Sequence, residues 1–350
     1  MEIAMLSIYI SDDCSRNCQY CYRSLSSKKM TPQVADDLST WVASIAIENN
    51  IKDLYIWLLG GEPTNNIDVA IRFTKSLTEK LPGYQDLFYG YKNLGVCSPN
   101  RRSLQRMLFT NGDLLTASML KELKKEHIRI VLNPTYDTLK DFEDKLLFVK
   151  NTCGGCRIAI ALNDINMARL SELTKLAIKH NSHMRINRLY HGGTIPGYVE
   201  EYTKQMSRMF DLLLEAEHPM WPNWIMESTY PQWKGQKNPY TCGRRFAAID
   251  TEGTIRGCNP DMDTKIGTIY THKHWSDLKF RQRWSAKNLP ECQGCKFITI
   301  CQGGCPFTRK LKWNTYNKAT PFCSAFKILF PKLMELTKKW EEKWGLIGVK

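Results

Sequence analysis

Apolar runs of strand length alternate with longer stretches of helical period through the first two thirds of the chain. That alternation predicts a parallel α/β unit in which each strand is followed by a crossover helix. Strands are predicted over residues 5–11, 54–59, 107–110, 128–132, 158–162 and 184–189. Between the first two, Thr31 can cap and Pro32 can open a helix whose buried stripe is Val34, Leu38, Trp41, Val42 and Ile45. After the sixth, Tyr202, Met206, Met209, Phe210, Leu213 and Leu214 share one helical face. Six such units, ending near Glu217, fit either a partial barrel or an open doubly wound sheet, and periodicity does not choose. In both, the loops after the strands meet on one face, where chemistry is usually placed.

Residues 218–240 break the pattern with three tryptophans and four prolines and read as an irregular bridge. The expected organisation is a first domain over 1–217, the bridge over 218–240, a second domain over 241–324 and a C-terminal helical segment over 325–350, helical in spacing despite Pro331. No apolar run approaches the roughly 18 residues of a membrane span, and no basic stretch followed by an apolar core opens the chain. A cytoplasmic protein with no membrane association is therefore expected. Thirteen cysteines in 350 residues without an export signal point to metal binding rather than a disulfide scaffold. The formal charge of +14 comes from scattered Lys and Arg, which favours a solvated surface over a nucleic-acid footprint.

Cys14, Cys18 and Cys21 form a C-x3-C-x2-C loop directly after the first predicted strand. Three thiolates can hold three corners of a [4Fe–4S] cube and leave the fourth iron without a protein ligand, whereas a structural zinc site wants four ligands and no further Cys or His lies nearby. The spacing, with aromatic Tyr20 before the last cysteine, resembles the motif of the radical S-adenosylmethionine (SAM) superfamily. In that family the open iron chelates the amine and carboxylate of SAM, and one electron then releases a 5′-deoxyadenosyl radical. Gly60, Gly61, Glu62 and Pro63, at the end of the second predicted strand, match the family's Gly-Gly-Glu-Pro segment, which holds the SAM amine. Thr110-Asn111-Gly112 resembles a common family run, and Asn133 stands where many relatives place a residue near the ribose. The resemblance implies a partial (β/α)6 barrel.

The C-terminal third holds Cys242, then Gly253 and Cys258, then Cys292, Cys295, Cys301 and Cys305 as C-x2-C-x5-C-x3-C, and finally Cys323. All seven cysteines are similar in spacing to the SPASM domain, the cluster-bearing extension of peptide-modifying radical SAM enzymes; a zinc ribbon would want a second C-x2-C pair. The resemblance implies one auxiliary [4Fe–4S] cluster on Cys292, Cys295, Cys301 and Cys323 and another on Cys242, Cys258 and Cys305, making three clusters with the SAM-binding one. The second auxiliary set is one ligand short. Its fourth iron is open, solvent-bound or met by a residue such as Asp261, Asp263 or Tyr240. Cys153 and Cys156 form a C-G-G-C turn with incidental thiols as its plain reading, and Cys97 reads as structural.

No single residue is assigned a catalytic role. The resemblance implies hydrogen abstraction from a ribosomally made peptide, leading to a crosslink, an epimerisation or an excision, with a flavodoxin- or ferredoxin-type electron donor. Radical oxidation or decarboxylation of a small molecule is the alternative within the superfamily, and a non-catalytic iron–sulfur carrier the alternative outside it. Sulfatase-maturing relatives carry an Asp directly after the second SPASM cysteine where this chain has Asn259, which disfavours formylglycine formation. Many peptide-modifying members also carry an N-terminal leader-binding domain. Here the cysteine loop begins at residue 14, so leader recognition is expected to use the bridge, the basic surface or a separate partner protein.

Overall fold

The computed structural model of the chain describes residues 3–86, 102–189, 196–217, 246–261, 264–275 and 286–344. The strands are β1 (Ile3–Ser11), β2 (Asp53–Gly60), β3 (Tyr84–Asp86), β4 (Arg102–Thr110), β5 (Ile128–Leu132), β6 (Arg157–Leu162), β7 (Met184–Arg188), β8 (Phe246–Ile249), β9 (Thr254–Arg256) and β10 (Lys265–Thr268). The helices are α1 (Pro32–Glu48), α2 (Ile67–Lys80), α3 (Ala117–Lys125), α4 (Leu139–Cys153), α5 (Asp164–Ala168), α6 (Leu170–Lys179), α7 (Tyr198–Glu215), α8 (Ile298–Cys301), α9 (Pro306–Trp313) and α10 (Cys323–Trp344).

β1, β2, β4, β5, β6 and β7 lie side by side in that order and all run parallel. Successive residues of a strand face opposite sides, so each strand feeds two layers. On β1, Ala4, Leu6, Ile8 and Ile10 join the large core shared with the helices. Tyr9 faces the other way, into a small cluster made of strand residues alone, with Trp57, Met107, Val131, Ala159, Phe246 and Ala248. Helices thus cover one face, and the other is the inner wall of an open barrel. A doubly wound sheet would carry helices on both faces.

Local chemistry starts α1 as expected, because Thr31 Oγ1 accepts from Val34 N at 3.2 Å and Pro32 takes the first turn. Leu38, Trp41, Val42 and Ile45 are its buried stripe. The third predicted strand begins five residues earlier than expected, at Arg102. Its polar residues hid it: Ser103 donates to Asp53 Oδ1 at 2.5 Å, and buried Arg106 pairs with Asp86 and donates to Thr78 Oγ1 at 2.6 Å.

The cysteine-rich C-terminal part continues the same sheet. β8 pairs in parallel with β1, from Met5 opposite Phe246 to Ile8 opposite Ile249, and β9 and β10 follow antiparallel. At the far end, α10 packs on α7 through Phe322, whose ring lies 5.2 Å from that of Tyr202. The bridge 218–240, together with Cys97, Tyr240, Cys242 and Asp263, lies outside the described residues.

Candidate active site

The strands end on one face, and the first loop to leave that face carries Cys14, Cys18 and Cys21. A tight turn closes its end, where Cys21 N donates to Cys18 O at 2.9 Å. The three thiols are near enough to act on one another electrostatically, and Glu62 is near enough to act on Cys14. Burial is the main cause that pushes the Cys14 and Cys21 thiols above their usual range. The side chain of Tyr20 hydrogen-bonds Cys18, and its phenol is pushed up chiefly by burial. Among the described residues no three His, Cys, Asp or Glu side chains converge as they would around a single ion. A four-iron cube has its ligands on separate irons, and three thiols on one loop fit three of its corners.

Arg16 anchors this loop to its neighbours. Its guanidinium makes two bonds of 2.7 Å to the Asp113 carboxylate, donates to Thr135 O and lies 5.2 Å from the centre of the Tyr136 ring. The loops after β1, β4 and β5 are therefore fastened together. Arg169, at the α5–α6 junction, continues the chain by donating to Pro134 O at 3.2 Å and Tyr136 O at 3.0 Å. Asn133 N donates to Thr110 O at 2.9 Å, which brings Asn133 to the same rim.

Gly60 and Gly61 end β2 against the backbone that leads into the cysteine loop. A Cβ on Gly60 would stand 2.3 Å from Ser11 O, and one on Gly61 would stand 2.7 Å from Asp13 O. Gly61 N donates to Ser11 O at 2.7 Å and Glu62 N to Asp13 O at 2.8 Å. The close approach that these glycines permit is first of all that of one backbone to another. Pro63 then opens a short 3-10 helix over Pro63–Asn66, for which Glu62 is the cap.

Glu62 is almost fully buried. Its Oε1 accepts from Thr64 N at 3.1 Å, Thr64 Oγ1 at 2.7 Å and Thr110 Oγ1 at 2.7 Å, and its Oε2 accepts from Asn111 N at 2.9 Å. Burial raises the pKa of this carboxyl despite those donors. Oε1 is thus committed to the chain, while Oε2 carries one of these four bonds and retains acceptor capacity for a cation. The Thr110-Asn111-Gly112 turn owes its place beside the site to this carboxylate.

Four cysteines of the C-terminal part also come together. Cys295 and Cys323 lie within electrostatic reach of Cys292, and Cys301 lies within reach of Cys292 and Cys323. Burial, followed by those neighbouring thiols, pushes Cys301 up to about 12. Cys258 acts instead on Tyr9 and Tyr22 beside the first loop, where Tyr9 OH lies 3.1 Å from Tyr22 OH and 3.3 Å from Asn259 O. Cys305 is the cap of α9, and Cys242 is not described, so the third cysteine set is seen only in its parts. Asp261 is buried and accepts from Thr264 Oγ1 at 2.9 Å.

A family model described as a 4Fe-4S single cluster domain matches residues 4–130. The chain is 26% identical to the radical SAM cyclopropyl synthase TigE of Paramaledivibacter caminithermalis, over 96% of this chain and 75% of that protein. It is 21% identical to an uncharacterized protein of Archaeoglobus fulgidus, over 96% of this chain and 82% of that one. Among solved structures, native anSMEcpe with bound AdoMet matches with a TM-score of 0.72 at 20% identity, over 95% of this chain and 98% of that chain. Streptococcus suis SuiB bound to precursor peptide SuiA matches with a TM-score of 0.63 at 16% identity, over 91% of this chain and 74% of that chain. In sequence the chain is similar to a radical SAM enzyme, and in fold to anSMEcpe and SuiB. Its fold is the partial α/β barrel that these structures share, which resolves the choice that periodicity left open.

Sequence reasoning missed Arg16, Asp113, Tyr9 and Tyr22. Arg16 was legible only as its position between two of the cysteines, since the pairing with Asp113 spans 97 residues. The Cys153–Cys156 turn has a structural account. Cys156 belongs to the main core, Cys153 packs against it, Gly154 closes α4 with φ of 82°, and burial raises both thiols, Cys156 to about 12.

Proposed function

We propose that Cys14, Cys18 and Cys21 hold a SAM-binding [4Fe–4S] cluster and that the rim formed by Tyr20, Gly60, Gly61, Glu62, Pro63 and Asn133 receives SAM. The observation that carries this reading is the meeting of three thiols and one buried carboxylate at the strand-end mouth of the barrel. When bound, the cluster supplies the electron that splits SAM into methionine and a 5′-deoxyadenosyl radical. The protein's part is positioning and exclusion of water. Glu62 Oε2 would offer an ammonium group a charge-assisted bond, Arg16 keeps the loop against the rim, and Tyr9, Trp57, Met107 and Phe246 line the inner wall. Cys292, Cys295, Cys301 and Cys323 are read as the ligands of one auxiliary cluster, and Cys242, Cys258 and Cys305 as those of another.

The substrate in this reading is a ribosomally made peptide, with electrons supplied by a flavodoxin- or ferredoxin-type donor. Support comes from two solved structures that share the fold and hold peptides, anSMEcpe with Cp18Cys peptide and SuiB with SuiA. Asn259 in place of an acid beside Cys258 keeps formylglycine formation disfavoured. The test is to incubate the reduced, cluster-loaded protein with SAM and assay 5′-deoxyadenosine and methionine, then repeat with peptides encoded beside its gene. Product from SAM alone and a mass change in one such peptide are expected. Absence of 5′-deoxyadenosine would reject the SAM reading, and turnover of SAM with every peptide unaltered would reject the peptide.

A further inference from the structure

β7 breaks the rule that its own alternation sets. Met184 and Ile186 point to the helix-covered core, and the third residue of that series, Arg188, is buried alongside them. Taking a guanidinium out of water costs several kcal/mol unless opposite charge meets it. The groups that meet Arg188 include the rings of Phe322 and Phe326, with centroids 5.1 and 5.5 Å from its guanidinium carbon, and Phe322 directly precedes Cys323. Cys301 also lies within its electrostatic reach.

A second buried arginine lies near another cysteine of the same set. Arg309 stands on α9, and its N donates to Cys305 O at 3.2 Å. Its Nη1 lies 3.3 Å from the point a Cβ on Gly303 would occupy, in the turn that joins Cys301 to Cys305. Gln302, Gly303 and Gly304 in that turn have φ of 49°, 77° and 75°, a run of left-handed residues that folds the backbone closely onto the guanidinium. Cys292 lies within electrostatic reach of Arg309.

We propose that Arg188 and Arg309 are the counter-charges of an iron–sulfur cluster on Cys292, Cys295, Cys301 and Cys323, and that they raise its reduction potential. The inference rests on the reading that these four thiols hold a cluster. Four thiolates around a cube leave a net anion, and reduction adds one more negative charge. Cations fixed beside it in a medium of low dielectric constant favour the reduced form. Arg188 reaches the cluster from the barrel wall and Arg309 from the extension, so the potential depends on the two parts being docked.

The experiment is a potentiometric titration of the full-length, anaerobically reconstituted protein, followed by electron paramagnetic resonance, with iron counted in each sample. Cys301→Ser tests the underlying reading: loss of about four irons is expected, and unchanged iron would remove the cluster and the proposal with it. With iron intact, Arg188→Met and Arg309→Met should each move one auxiliary midpoint to more negative potential and leave the SAM-binding cluster where it is. Arg188→Lys, which keeps the charge, should stay near wild type. If Arg188→Met fails to load, Arg309→Met and Arg188→Lys carry the same comparison. Iron loss in Cys301→Ser together with unchanged midpoints in the arginine variants would overturn the proposal while leaving the cluster assignment standing.

Discussion

Glu62 shows how one side chain serves the fold and the proposed chemistry at once. It caps the 3-10 turn after β2, tethers the turn after β4 through Thr110 and Asn111, and keeps capacity on Oε2. Glu62→Ala in the cluster-loaded protein should weaken SAM binding by about 1.5–3 kcal/mol, the scale of a hydrogen bond to a charged group, with iron content unchanged. Titration calorimetry and iron analysis read the two quantities, and unaltered SAM affinity would remove Glu62 from the site. His183, just before β7, gives a pH prediction of another kind. Burial, reinforced by Arg157 and Arg129, lowers its pKa from 6.5 to about 4. The unfolded chain then binds a proton that the folded chain refuses, so stability should fall as pH drops from about 6.5 towards 4, by no more than about 3 kcal/mol. Below that the contribution stays lost. His183→Asn should flatten the slope of unfolding free energy in this window, and an unchanged slope would show that the ring is not the cause.

At the scale of elements, the junction of β1, β2 and the cysteine loop depends on two backbones passing where no side chain fits. Gly61→Ala would place a carbon 2.7 Å from Asp13 O. A loss of about 1–3 kcal/mol is expected, as for other overpacked positions, read as a lower unfolding midpoint together with poorer cluster loading. The same elements show what was legible in the sequence. β1, β2, β5 and β6 alternate or run apolar, and the cap of α1 is spelled by Thr31 and Pro32, so these follow from local chemistry. The start of β4 did not, because Ser103 and Arg106 are polar residues satisfied by partners on other elements. β8 was hidden for a different reason: its four residues are too short for a period, and they are held by pairing with β1 across some 240 residues of chain. The cysteines of the first loop were legible by spacing, whereas the grip of Arg16 on Asp113 and the tyrosine contact with Asn259 exist only once distant loops meet.

For the whole molecule, the sheet makes one continuous frame from β10 to β7, with the proposed SAM site at the mouth of the barrel and the cysteine extension joined to both flanks. One flank is the β1–β8 pairing and the other is the packing of α10 on α7. The cysteines in the turns around α8 and α9 therefore have supports separate from the loop after β1, while Cys258 lies beside that loop. On the proposed assignment, removing the three thiols of the first loop is expected to leave the C-terminal cysteines able to load. The most direct measurement is the paramagnetic resonance of the reduced protein with and without SAM, on wild type and on the Cys14→Ala/Cys18→Ala/Cys21→Ala triple variant, with iron counted in both. SAM should perturb one signal in wild type, and the triple variant should lack that signal, ignore SAM and keep about eight irons in two auxiliary four-iron clusters. A wild-type spectrum indifferent to SAM, or a triple variant that retains the SAM-sensitive signal, would contradict the assignment of the first loop.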